Sequence, residues 1–329
     1  MATKGGVIRW LGVHLILVLC FISTAFADLT PEQQAARERG LVLYQQSDWY
    51  DSQPLLLVAA QAGDQQAQYY LAEAIRLSNR YMTDEARRWY EAAAEQGDLF
   101  AMLRLSNSSD LCHQVGTCGP NAFDWRSKAL DTAYERAEQG DTEAMRALFN
   151  AGQGIGWLEK AAEGGDAPAQ RLLAGLYRDG EGWFLLPGRR QQAIEKWYRA
   201  SAEGGFPLGM MHYANYLDEN NGSKEEIAYW IKKAAEAGYI TAVSSYAYYL
   251  AHMPNAFNYP KDMIAAYGLT YLISRLEGGG FEPDFARRET LPSMAEKMTS
   301  EQIEEAKVFA AEWERTHPPL SFFVPVYGY

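Results

Sequence analysis

Arg88-Trp89-Tyr90-Glu91-Ala92-Ala93-Ala94-Glu95-Gln96-Gly97-Asp98 constrains the chain more than any other stretch, because variants of it recur along most of the sequence. A Trp, then a small-residue pair, then Gly eight residues after the Trp, is found as Trp89/Gly97, Trp157/Gly165, Trp197/Gly205 and Trp230/Gly238. Two further copies, ending at Gly63 and Gly140, keep the Gly end without the Trp. The six glycines stand 34, 43, 25, 40 and 33 residues apart, the period of a solenoid. Trp89, Ala93 and Ala94 share one helix face. Gly97 falls where a helix ends in the left-handed conformation, and Asp98 can cap the next helix with its carboxylate. Asp64, Asp141 and Asp166 repeat that cap, and Phe206-Pro207 replaces it with a Pro at the first helical position. The turns are therefore short, and the helices on either side are antiparallel neighbours.

The second helix of each pair is equally regular. Four residues past each Gly stands a small residue: Ala67, Ala101, Ala144, Ala169, Gly209 or Ala242. Eight past it stands a large one: Leu71, Leu105, Leu148, Leu173, Tyr213 or Tyr246. Small residues let helix backbones approach, and large ones fill the groove between pairs.

The pattern resembles the Sel1-like repeat, a helix-turn-helix relative of the tetratricopeptide repeat. The fullest copy runs from Ala169 to Gly205, through Leu172-Leu173-Ala174-Gly175-Leu176-Tyr177-Arg178-Asp179-Gly180-Glu181-Gly182 and Trp197-Tyr198-Arg199-Ala200. The resemblance covers roughly residues 40–275. It implies an all-α, right-handed α-solenoid of helix-turn-helix repeats with a C-terminal capping helix, working by binding proteins. Thr30-Pro31-Glu32-Gln33 signals the start of a first helix. Gly152-Gln153-Gly154-Ile155-Gly156 reads as a tight turn between paired helices. Another helix is expected over Met263–Arg275, broken by Gly278-Gly279-Gly280. A strongly capped last helix follows Thr299 and runs to about Arg315.

Residues 1–27 read as a cleaved signal peptide: basic Lys4 and Arg9, the apolar run Trp10–Ile22, and Ala25-Phe26-Ala27 before Asp28. The run is too short for a membrane span. Leu19 is not the small residue a lipid-anchored Cys20 requires before it. The expected division is residues 28–316 as solenoid with capping helices and residues 317–329 as an apolar aromatic tail. The destination in a Gram-negative cell is the periplasm. In that oxidising compartment Cys112 and Cys118, the two cysteines left after cleavage, are expected to form a disulfide within a loop insertion. Its loop entropy is worth on the order of 2–3 kcal/mol. A metal centre on Cys112, His113 and Cys118 lacks a fourth ligand.

Cleavage takes the net charge from −12 to −14 with the loss of Lys4 and Arg9. That disfavours nucleic acid and anionic membrane surfaces, and fits either plain solubility or a basic protein partner. The sequence holds no nucleophile elbow, no zinc-protease motif and no P-loop. His212 reads as a packed core histidine. No catalytic constellation, cofactor or metal site is expected. Candidate partner contacts are the loop residues Asp179, Glu181, Trp183 and Phe184, the tyrosines Tyr216 and Tyr249, and the tail residues Phe322 and Phe323. In Sel1-like repeats the residue at Trp183 is an apolar plug, so Trp183 is read either as that plug or as an exposed anchor. Tyr216 and Tyr249 are read either as packed or as facing the concave side. The tail either packs back on the solenoid or inserts into a partner. Exported Sel1-like proteins include immunity proteins of type VI secretion phospholipase D-type effectors, which this chain resembles in size and export. An acidic groove would suit occlusion of a basic toxin site. The alternative role is a periplasmic scaffold for assembling an envelope polysaccharide or a secretion complex.

Overall fold

In every one of the six repeat turns the glycine has a positive φ, between 82° and 95°, which a side chain would oppose. The computed structural model describes residues 29–106, 122–252, 257–278 and 280–327. The signal segment and the Cys112–Cys118 pair lie outside the described residues. Helix α1 (Pro31–Gln45) opens on a Thr30 capping box with Pro31 at its first position. Six helix pairs follow. They are α2 (Trp49–Gln61) with α3 (Gln65–Asn79), α4 (Asp84–Glu95) with α5 (Leu99–Ser106), and α6 (Ala122–Glu138) with α7 (Thr142–Asn150). The others are α8 (Ile155–Glu163) with α9 (Ala167–Arg178), α10 (Arg189–Glu203) with α11 (Pro207–Glu219), and α12 (Lys224–Glu236) with α13 (Ile240–Leu250). The carboxylates of Asp64, Asp98, Asp141 and Asp166 each accept the backbone N–H three residues on, at 2.7–3.1 Å. A cap of this kind contributes about 1 kcal/mol.

Each helix packs against the next in the chain, as short turns dictate. The small residues four past each glycine are all buried, with Ala67, Ala101, Ala144, Ala169 and Ala242 fully enclosed. The large ones eight past it are buried at Leu71, Leu148, Leu173 and Tyr213, and half-buried at Leu105 and Tyr246. Among the described residues two large apolar cores result, one centred on α2–α7 and the other on α8–α17, with a small third cluster of Tyr44, Ala74 and Val324.

One repeat departs from the rest in a compensated way. Where four of the other five copies carry Ala four residues before the glycine, the fifth carries Ser201, whose buried hydroxyl donates to the Ala167 carbonyl at 2.7 Å. Opposite it stands Gly209, where a Cβ would lie 2.2 Å from Ser201 Oγ and 2.8 Å from its Cβ. Gly209→Ala is therefore expected to lower stability by about 1–3 kcal/mol through overpacking, despite the better helix propensity of Ala. Adding Ser201→Ala, which restores the pairing of the other repeats, should recover part of that loss. Urea melts of the single and double variants check it.

Beyond the repeats, α14 (Met263–Ser274), the short α15 (Phe281–Phe285), a π-helical turn (Ala286–Thr290), α16 (Leu291–Ala295) and the capping helix α17 (Ser300–Thr316) complete the fold. Helix α17 starts on a Thr299 capping box and packs against α14. Among the described residues no helix is long and apolar enough to cross a membrane.

The two ends of the chain meet. A Cβ on Gly278 would lie 2.1 Å from the Gln46 carbonyl oxygen, so only glycine fits this closure. After α17 the chain runs back without helix through residues 317–327. It pairs with Tyr239 by one parallel bridge and contacts α1, α3 and α5 on the way.

Candidate partner-binding surfaces

The loop between α9 and α10 is built around Arg190. Its guanidinium donates to the carbonyl of Tyr177 at 2.8 Å, to that of Gly182 at 3.0 Å and to that of Glu181. The same group lies 4.9 Å from the centre of the Phe184 ring. Phe184 in turn meets Tyr177 edge-on at 5.0 Å, and the Tyr177 hydroxyl donates to Glu159 at 2.7 Å. The apolar plug of this repeat is thus Phe184. Trp183 is not the plug. Gly180 and Gly182, both at positive φ, turn the chain so that Trp183 points outward at 81 % exposure. Leu185 and Leu186 are exposed as well, at 77 % and 59 %. Three large apolar side chains on a loop locked by three hydrogen bonds form a contiguous exposed patch. They border a hollow of about 470 Å³ whose far wall carries Arg189, Gln192 and Lys196. Asp179 and Glu181 flank the patch with exposed side chains, Asp179 being 4.0 Å from Arg178.

A second surface is the inner groove. The second helices of several pairs turn Tyr70, Arg146, Phe149, Arg171, Leu172 and Leu208 to a common cavity of about 630 Å³. The tail forms its other wall. Phe322 and Phe323 are half-buried in the molecule, Phe323 meeting Tyr239 at 6.1 Å. The tail therefore packs back on the solenoid. Tyr216 and Tyr249 do not line this cavity. The Tyr216 ring lies against Tyr198 and its hydroxyl donates to the Gln191 carbonyl at 3.4 Å. Tyr249 stacks on Tyr259 and meets Phe257 edge-on.

The acidity of the chain is not gathered in either hollow. The ionisable side chains lining the groove cavity are Arg146 and Arg171, aside from tyrosine, and those lining the loop hollow are Arg189 and Lys196. A third hollow, of about 450 Å³, is lined by the carboxylates of Asp48, Asp51, Glu277 and Glu314 against Arg39 and Arg275.

Sequence reasoning missed a buried charge cluster beneath the end of the tail. Glu73 is fully enclosed and accepts from Arg104 Nε at 2.5 Å, from an Arg76 Nη at 2.8 Å and from the Tyr90 hydroxyl at 2.8 Å. The Tyr69 hydroxyl lies between Glu73 and the Val326 carbonyl, within hydrogen-bonding reach of both. Arg104 also sits 4.5 Å from the Tyr327 ring centre. Burial pushes the Tyr69 and Tyr90 hydroxyls well above the usual phenol range, so both stay donors. The signal was present in Tyr69, Glu73 and Arg76 at spacings of four and three, one helix face carrying charge inside an apolar run. Among the described residues no group of histidine, cysteine and carboxylate side chains is placed to hold a metal ion.

Two half-hidden titrations oppose each other. Burial pushes the Asp98 carboxyl up to about 6, while burial, aided by Arg171 and Arg178, lowers the His212 imidazole to about 4. Acidification below pH 6 therefore stabilises the folded chain through Asp98, which binds its proton before the unfolded chain does at about 3.8. Between pH 6.5 and 4 it destabilises through His212, which protonates first in the unfolded chain. Each effect is about 3 kcal/mol when complete. Asp98→Asn keeps the cap and is expected to raise stability at pH 7 but to lose it more steeply between pH 6.5 and 4.5. His212→Gln should flatten that loss. Thermal melts across this range distinguish the two.

No family model and no curated protein matches the sequence. Solved structures are similar at low identity. One is c5321, a protective antigen of uropathogenic Escherichia coli with an SLR fold: 21 % identity over 88 % of this chain, TM-score 0.48. The chain spans 62 % of that structure's length. A Sel1 repeat protein from Oxalobacter formigenes is similar at 21 % identity, over 76 % of this chain and 98 % of its own, TM-score 0.38. The immunity protein PA5088 from Pseudomonas aeruginosa is similar at 16 % identity, over 82 % of this chain and 88 % of its own, TM-score 0.42. Six glycine turns in register, the small and large residues buried at fixed offsets, and the stack of paired helices make this an all-α solenoid of helix-turn-helix repeats, whose pattern resembles the Sel1-like repeat.

Proposed function

We propose that the chain is an exported, non-enzymatic solenoid that binds another protein through the loop of residues 179–188. More specifically, it is a periplasmic immunity protein that occludes a toxin delivered by a type VI secretion system, of the phospholipase D class. The observation that carries the binding role is the loop itself. Trp183, Leu185 and Leu186 are large, exposed and presented on a backbone that Arg190 holds in place. Such anchors are costly in water and lose little entropy on binding, the combination found at interface hot spots. Asp179 and Glu181 beside them, and a net charge of −12 over the full chain, favour a basic partner by steering its approach. The mature chain, Asp28 to Tyr329 after cleavage at Ala27, would carry the Cys112–Cys118 disulfide.

The test is a pull-down from periplasmic extract with the tagged mature chain, followed by assay of what is held. A single basic toxin enzyme, captured at one to one and silent in the complex, supports the immunity role. Capture of envelope assembly proteins in its place would reassign the chain as a scaffold.

A further inference from the structure

The tail is held as a receptor holds a peptide. The Gln45 side chain reads both sides of one residue: Val324 N–H donates to Gln45 Oε1 at 2.7 Å, and Gln45 Nε2 donates to the Val324 carbonyl at 3.4 Å. Phe322 N–H donates to the Gln45 carbonyl at 2.9 Å. Ser321 donates to the Gly238 carbonyl and accepts from Ile240 N–H, at 2.9 and 3.0 Å. Gln46 Nε2 donates to the Leu320 carbonyl at 3.0 Å, and the Tyr69 hydroxyl reaches the Val326 carbonyl. These contacts read main chain, which any extended segment offers. Side chains are read by pockets: Val324 is buried against Tyr44 and Ala74, and Tyr327 lies between Arg104 and Phe100.

Two observations show that the tail fits this groove imperfectly. Phe323 is held at a φ of 51°, in the left-handed region that a non-glycine residue adopts only under strain. The cavity of about 630 Å³ beside residues 321–327 leaves the groove underfilled, its free wall lined by Phe149, Leu172 and Leu208 together with Arg146 and Arg171. A segment chosen only to seal the fold would fill the space it seals.

We propose that the inner groove is a binding site for an extended, predominantly apolar peptide segment of a partner protein, and that the chain's own tail occupies it in cis. Partner engagement then requires the tail to leave. As a tethered competitor the tail acts at an effective concentration in the millimolar range, so it screens out weak peptides. This site is separate from the loop of residues 179–188, and its test does not depend on the role proposed for that loop.

The experiment keeps the whole chain. A protease site is inserted after His317, and the purified folded protein is cleaved so that the tail stays bound without its tether. A fluorescent peptide copying Leu320 to Tyr329 is then added. The expected result is saturable uptake by the cleaved protein, at least tenfold weaker in Gln45→Ala, unchanged in Trp183→Ala, and about a hundredfold weaker in the uncleaved chain. In the uncleaved chain Phe323→Gly, which relieves the left-handed strain, should weaken uptake further by tightening the tail. Failure of the cleaved, folded protein to exchange the peptide would overturn the proposal. So would unfolding on cleavage, equal uptake of a scrambled peptide, or equal uptake before and after cleavage. Dimerisation of the intact chain with its tail exchanged between copies would also overturn it, by giving the groove a different occupant.

Discussion

Glu73→Ala is expected to lower the stability of the N-terminal half by about 3–5 kcal/mol, the cost of leaving two buried guanidiniums without their carboxylate. Arg76 and Arg104 both lie within 2.8 Å of Glu73 and are themselves buried, so neither can turn to water without opening the pair of helices above it. The Tyr90 hydroxyl would lose its acceptor as well. The effect should be regional. The core of α2–α7 and the core of α8–α17 are distinct clusters, and a repeat array transmits stability only between neighbours. A single unfolding transition should therefore split in two, with the N-terminal repeats opening first. Because Tyr69 and Arg104 also hold Val326 and Tyr327, the tail should loosen in the same early step. Hydrogen exchange resolved by peptide checks both parts. Glu73→Gln, which keeps acceptor geometry but not charge, should fall between the variant and the wild type.

Trp183→Ala is expected to weaken the complex with the partner protein by about 2–4 kcal/mol, roughly thirtyfold to a thousandfold in Kd, with the melting temperature unchanged. The side chain is 81 % exposed in the free protein, so its removal opens no cavity. Leu185→Ala should cost about 1 kcal/mol or more on the same surface. Arg190→Ala supplies a contrasting case. It removes no contact residue but releases the carbonyls of Tyr177 and Gly182 and frees the face of Phe184. Affinity should fall through a disordered loop, with the loss mainly entropic, whereas the Trp183 variant should lose enthalpy of contact. Titration calorimetry separates the two.

What could be read from the sequence is what is local and periodic. The glycine turns, the aspartate caps and the buried small residues each depend on neighbours within a few positions, and six repetitions separate them from coincidence. The loop after α9 shows where this kind of reading fails. The repeat register places an apolar plug at Trp183, but two glycines at positive φ shift the register by one and hand the plug to Phe184. The path of the tail was beyond reach for a different reason. Its bonds to Gln45, Gln46 and Tyr69 join residues 257 to 279 positions apart, and no periodicity links Gln45 to Val324. The spacing of Tyr69, Glu73 and Arg76 marked a charged helix face, but the pairing of Glu73 with Arg104 on the next repeat was hidden in the same way. The placing of the acidic hollow at Asp48, Asp51, Glu277 and Glu314 was also beyond reach, because net charge says how much carboxylate a chain carries, and not which face carries it.

The most direct test of the central claim is protection in cells. A toxin enzyme captured by the tagged mature chain is expressed with a periplasmic export signal, together with the wild-type chain or with Trp183→Ala/Leu185→Ala. The account predicts that the wild type restores growth and co-purifies with the toxin at one to one. The double variant should accumulate to the same level, fold, and fail to protect. Absence of protection by the wild type would contradict the immunity role, and equal protection by both would contradict the assignment of the loop as the contact.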